Sequence, residues 1–124
     1  MGFFDAILGN SSEVDLAELE QELAPILADN ESVHLGYKLI RDMFVFTDKR
    51  LILIDKQGMT GKKVSYHSIA YKSMTHFIVE TAGTFDMDAE LKIYISGTEQ
   101  PIVKELKKGT DVVGIQKAIA NFSL

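Results

Sequence analysis

The residues of this chain best suited to hold a metal ion are its three histidines, His34, His67 and His76. A persuasive zinc site shows ligands at short, characteristic spacings. These three fall on three separate predicted strands and read as independent surface or edge histidines. Asp86, Asp88 and Glu90 open like a calcium loop, where alternate carboxylates converge on a cation. The glycine of the sharp turn and the terminal bidentate Glu are missing, which leaves a solvated acidic strand end. Ser65 and Ser68 stand near His67, as a nucleophile stands near its base, but no Gly-x-Ser-x-Gly elbow is present. Gly58-x-x-Gly61-Lys62-Lys63 lacks both the spacing of a phosphate-binding loop and the Ser or Thr that should follow it. No catalytic residue, bound metal or cofactor is expected, and the chemistry points to a binding protein.

Three groups of residues are candidates for contact. His76, Glu80, Glu90, Lys92 and Tyr94 should project from one face of two neighbouring strands, giving a charged patch with an aromatic anchor. Lys56, Lys62 and Lys63 surround a loop and form a modest basic cluster for an anionic ligand, with a plainly solvated surface as the alternative. Phe3, Phe4, Ile7 and Leu8 recur at near-helical spacing before Gly9-Asn10. One such turn is not stable alone, so it must pack on its own domain, on a neighbouring subunit or on a membrane surface. It carries no Lys or Arg, which weakens the membrane option.

The elements that must position these groups can be read from the hydrophobic pattern. A helix is expected from near Ser12, with Ser12-x-x-Asp15 as a capping box and Leu16, Leu19, Leu23, Ile26 and Leu27 as its apolar stripe. Pro25 should kink or break it. Val33 to Ile54 reads as three strands joined by the tight turns Arg41-Asp42 and Asp48-Lys49. Its second and third runs, Met43–Phe46 and Leu51–Ile54, are apolar on both faces and should be covered on both sides. A fourth strand is expected over residues 62–67, with 68–70 as a connector, and a fifth over 71–81. The sixth has Ala89, Leu91, Ile93 and Ile95 inward against Glu90, Lys92, Tyr94 and Ser96 outward. A seventh spans 100–106, with Pro101 at its start. A last helix is capped at Thr110-Asp111, and Val112, Ile115, Ile119 and Phe122 form its stripe. Gly114 lowers its intrinsic propensity, so packing must hold it.

At 124 residues the chain suits one domain: a helical arm over residues 1–31, then a β-rich body with its closing helix over 32–124. It has no cysteine, and no apolar run approaches the roughly 20 residues of a membrane span. With no charged leader at its start, a cytoplasmic protein is the default. The net charge of -5 conceals an asymmetry. Residues 1–31 hold eight of the 18 acidic residues and none of the 13 basic ones, so the remainder is net positive. An acidic total argues against nucleic acid as a partner. The acidic arm is either a solvated helix face or a segment that docks on a basic body, its own or a neighbour's.

Seven antiparallel strands followed by an amphipathic helix is the element order of the pleckstrin-homology (PH) fold. The segments MGFFDAILGNSSEVDL, KLIRDMFVFTDKRLILIDKQGMTGKKVSYHSI and TAGTFDMDAELKIYISG resemble the bacterial pleckstrin-homology family, and the likeness runs from Met1 to Leu124. The resemblance implies a mainly β, PH-like, partly open barrel of two near-orthogonal sheets, capped by the C-terminal helix. It implies a non-enzymatic module that forms cyclic homo-oligomeric rings, five-fold for single-domain members. It also implies a hydrophilic docking face for another protein where strands of adjacent subunits meet. Eukaryotic relatives bind phosphoinositides through a long basic loop between their first two strands. Here that loop is only Arg41-Asp42, so a peripheral membrane or anionic-lipid module is the alternative reading.

Overall fold

The computed structural model describes residues 15–39, 42–57, 63–83 and 88–124. The N-terminal apolar turn, Ser12, Arg41, Lys62, both glycines of the 58–62 loop and Asp86 lie outside these residues.

The first helix, α1, spans Leu16–Leu23. Asp15 is its N-cap, and its carboxylate accepts from the backbone N–H groups of Ala17 (2.9 Å) and Glu18 (3.3 Å). Pro25 acts as expected: the α-helix ends at Leu23 and a 3-10 turn, Ala24–Ile26, carries the chain away. Only part of the expected stripe is buried. Leu19 and Leu23 are enclosed and Leu27 is half-buried, whereas Leu16 and Ile26 remain exposed. The break at Pro25 ends the helical phase that would have kept Ile26 on the buried side.

Four strands follow as one antiparallel meander: β1 (Val33–Lys38), β2 (Asp42–Thr47), β3 (Arg50–Gln57) and β4 (Lys63–Ala70). The chain then turns a corner through a 3-10 turn at Tyr71–Ser73. It continues as a second antiparallel sheet of β5 (Met74–Thr81), β6 (Ala89–Ile95) and β7 (Ile102–Leu106). The last helix, α2, spans Val112–Ser123, and the Asp111 carboxylate accepts from Gly114 N at 2.9 Å.

Two departures from the strand expectations have physical causes. Residues 68–70 extend β4 instead of leaving it, because β3 offers partners as far as Arg50, which lies opposite Ala70. Residues 71–73 form the 3-10 turn instead of strand, held by the Tyr71 hydroxyl, which lies 2.6 Å from Thr47 O and 2.7 Å from Arg50 O. A register irregularity between Met74 and His76 then places Met74 in the core, while His76 faces outward.

The doubly apolar strands β2 and β3 are covered on both faces. Phe44, Phe46, Leu51 and Leu53 point into the space between the sheets, where they meet Leu91, Ile93 and Leu106 and the α2 residues Val112, Ile115, Ala118 and Ile119. Met43, Val45, Ile52 and Ile54 point the other way, onto Leu19 and Leu23 of α1. Phe122 closes the end of the main core, stacked on Phe46 (5.6 Å) and Tyr71 (5.5 Å) with His34 tilted against it (5.7 Å). The two sheets are not closed into a barrel, so β1, β4, β5 and β7 are edge strands.

Candidate functional site

The alternation of β5 and β6 assembles one outward face. Cross-strand register sets His76 opposite Tyr94, Ile78 opposite Lys92 and Glu80 opposite Glu90. On the far side of β6, Val103 lies opposite Lys92 and Glu105 opposite Glu90. His76 and Tyr94 stack nearly parallel, with ring centroids 4.2 Å apart and planes 11° from each other. The Lys92 ammonium sits 3.4 Å from Glu80 and 3.7 Å from Glu90, and its pKa is raised, chiefly by the Glu80 contact. All five residues of the first candidate group therefore share one surface. Sequence reading left two apolar residues out of that group: Ile78 is 39% exposed and Val103 47% exposed. Both stand among the charges of this sheet face.

Of the basic cluster, Lys56 and Lys63 are described and Lys62 is not. Lys56 lies opposite Val64, on the face that α1 covers, and Lys63 lies opposite Gln57, one register step on. Alternation therefore sends Lys56 and Lys63 to opposite faces of the sheet. Among the described residues no three His, Cys, Asp or Glu side chains are grouped to hold a metal. Ser68 Oγ receives a hydrogen bond from Arg50 Nη1 at 2.7 Å, a structural contact on β4. Asp88 accepts from Lys108 N at 2.8 Å and so braces a turn.

Two polar clusters went unseen in the sequence. In the first, Glu31 is fully enclosed and accepts from Arg50 Nε (2.9 Å), Arg50 Nη2 (3.0 Å), Thr47 Oγ1 (2.6 Å) and Ala28 N (2.8 Å). Arg50 Nη2 also reaches Ile26 O at 2.7 Å, tying the end of the arm to the β2–β3 turn. The Arg50 hydrogen bond, opposed by burial and aided by Thr47 and Ala28, holds the Glu31 carboxyl down at about 2. Burial pushes the neighbouring Tyr71 phenol well above its usual range. In the second cluster, Asp42 and Asp55 stand opposite one another across β2 and β3. Lys104 of β7 reaches both, 3.3 Å from Asp42 and 3.9 Å from Asp55. Burial, then the hydrogen bond with Asp55, raises the Asp42 pKa, and Lys104 opposes the rise. This contact joins the two sheets at one end. Both clusters bridge elements of the fold: Glu31–Arg50 joins the arm to β3, and Lys104 joins β7 to β2 and β3.

Comparison with known proteins fits the architecture. The sequence model of a family described as "Bacterial PH domain" matches residues 2–123. The chain is 72% identical to a pleckstrin homology domain from Shewanella amazonensis SB2B of known crystal structure. That match covers 99% of each chain at a TM-score of 0.85. It is 76% identical to a DUF1696 family protein with a pleckstrin-homology domain from Shewanella loihica PV-4, covering 94% of this chain and 99% of that one at a TM-score of 0.79. It is also 56% identical, over 97% of each chain, to the uncharacterized protein YjqA of Bacillus subtilis.

Proposed function

This chain belongs to the bacterial PH domain family, and we propose that it works as a non-enzymatic module which closes into a cyclic homo-oligomeric ring, a pentamer, and offers a polar face to a protein partner. The observation that carries the reading is the outward face of β5, β6 and β7. There the His76–Tyr94 stack, exposed Ile78 and Val103, and the Glu80–Lys92–Glu90 ion pairs form one continuous surface. Aromatic and aliphatic anchors inside a charged rim are what protein contacts use.

The ring draws support from the unclosed sheets. Among the described residues four strands stand at sheet edges, and assembly is one way to cover such edges. Among the described residues no helix is long and apolar enough to cross a membrane. Lys56 and Lys63, the described members of the basic cluster, diverge, which lends the lipid alternative no support. Size-exclusion chromatography with light scattering tests the assembly: a mass several times that of one chain is expected, and a single-chain mass throughout the micromolar range overturns it. Tyr94→Asp should keep the assembled mass and abolish capture of the native partner. Undiminished capture would move the docking face elsewhere.

A further inference from the structure

The four strand edges are not equally protected. β1 has a register irregularity between Val33 and Leu35, and Glu20 of α1 accepts from its Val33 N–H at 3.0 Å. β5 has the irregularity between Met74 and His76. β7 is five residues long, follows Pro101 and turns Lys104 inward onto Asp42. Bulges, short length, proline and inward charges are the usual ways of blunting an edge against added structure. β4 has none of them. It pairs with β3 along all eight residues without irregularity, and Tyr66 on it is 53% exposed.

Charge divides along the same sheet. Residues 56–73, which include β4, contain four lysines and no acidic residue. The helix α1, packed against β1 at the other side of the sheet, presents a shallow groove lined by Asp15, Ala17, Glu18, Gln21, Glu22 and Pro25. Among the described residues Glu18 and Glu22 take part in no ion pair, and neither do Lys63 and Lys72 at the two ends of the β4 edge. Among the described residues, Glu18 and Glu22 therefore stand at one side of the first sheet and Lys63 and Lys72 at the other, none of the four in an ion pair.

We infer that the β4 edge of one copy is covered by the acidic face of α1 of the next, with Glu18 and Glu22 meeting Lys63, Lys72 and the outward N–H groups of β4. Glu20 already performs this kind of contact inside the chain, where a helix glutamate satisfies the edge N–H of Val33. The contact joins two different surfaces, so each copy can pass it on, and it closes into a ring when the rotation permits. The inference rests on the ring reading and names its seam.

Charge exchange tests the seam. Lys63→Glu with Lys72→Glu, and separately Glu18→Lys with Glu22→Lys, should each reduce the light-scattering mass to that of one chain, with the far-UV circular dichroism unchanged. All four substitutions in the same chain should restore the assembled mass. Amide exchange at residues 65–69 should slow in the assembled wild type and quicken in either reversed variant. Persistence of the assembly in either reversed variant, or failure of the fourfold variant to reassemble, overturns the seam and leaves the ring standing. A wild type that is monomeric overturns both.

Discussion

Replacing Glu31 by Gln should cost this protein about 2–4 kcal/mol, because the substitution puts a donor into a site where every neighbour is already a donor. The two carboxylate oxygens face Arg50 Nε and Nη2, Thr47 Oγ1 and Ala28 N. Whichever way a glutamine is turned, its amide NH2 points at one of these groups. The Arg50 charge, on a side chain 24% exposed, also loses its partner. The Glu31 pKa falls from 4.5 to about 2 on folding, so its ionised form contributes up to about 3 kcal/mol. The sign follows from the depressed pKa. This stability is fully present above pH 4.5 and is lost as pH falls through about 2. Urea unfolding followed by far-UV circular dichroism, at fixed chain concentration, measures it. The wild type should be more stable than the variant at neutral pH, and the gap should narrow steadily below pH 4.5. A difference under about 0.5 kcal/mol at neutral pH, or acid curves that run parallel, would refute the reasoning.

Further substitutions probe other parts of the fold. Ile93→Asp should unfold the domain, since it buries an unpaired carboxylate at a site with 0% exposure, while Lys92→Gln on the neighbouring outward position should leave the denaturation midpoint nearly unchanged; equal effects in denaturant titrations would contradict the assigned parity. Lys104→Met removes the ammonium that lies 3.3 Å from Asp42 and 3.9 Å from Asp55. With its folded-state pKa raised, Asp42 then destabilises the fold as pH rises, so the loss should be greater at neutral than at acid pH; a loss independent of pH would count against this. Gly114→Ala should not give the roughly 1 kcal/mol that helix propensity promises. Its new Cβ would meet the Asp111 carboxylate and lie 3.0 Å from Tyr37 Oη, displacing the cap bond. A rise in melting temperature would show that the cap tolerates the change.

Periodicity made the fold legible because each strand carries its own signal. The doubly apolar Met43–Phe46 and Leu51–Ile54 runs required cover on both sides, and two hydrophobic clusters enclose them. The alternation from Ala89 to Ile95 set the inward and outward faces of β6, and these in turn gathered His76, Glu80, Glu90, Lys92 and Tyr94. The burial of Met74 is not legible from alternation, which says nothing about the register irregularity between Met74 and His76. The Glu31–Arg50 pair escaped because its partners lie 19 residues apart, in segments joined only by tertiary packing. The Asp42–Asp55 pair was closer to hand, since a two-residue turn at Asp48-Lys49 places them opposite each other by simple counting. Lys104 was not, because its contact crosses from one sheet to the other.

Native mass spectrometry of the intact wild-type chain bears most directly on the central claim. A closed ring predicts one dominant species, five chains for a pentamer, whose stoichiometry does not grow with concentration. A single chain at every concentration, or an open ladder of sizes lengthening as protein is added, would contradict it.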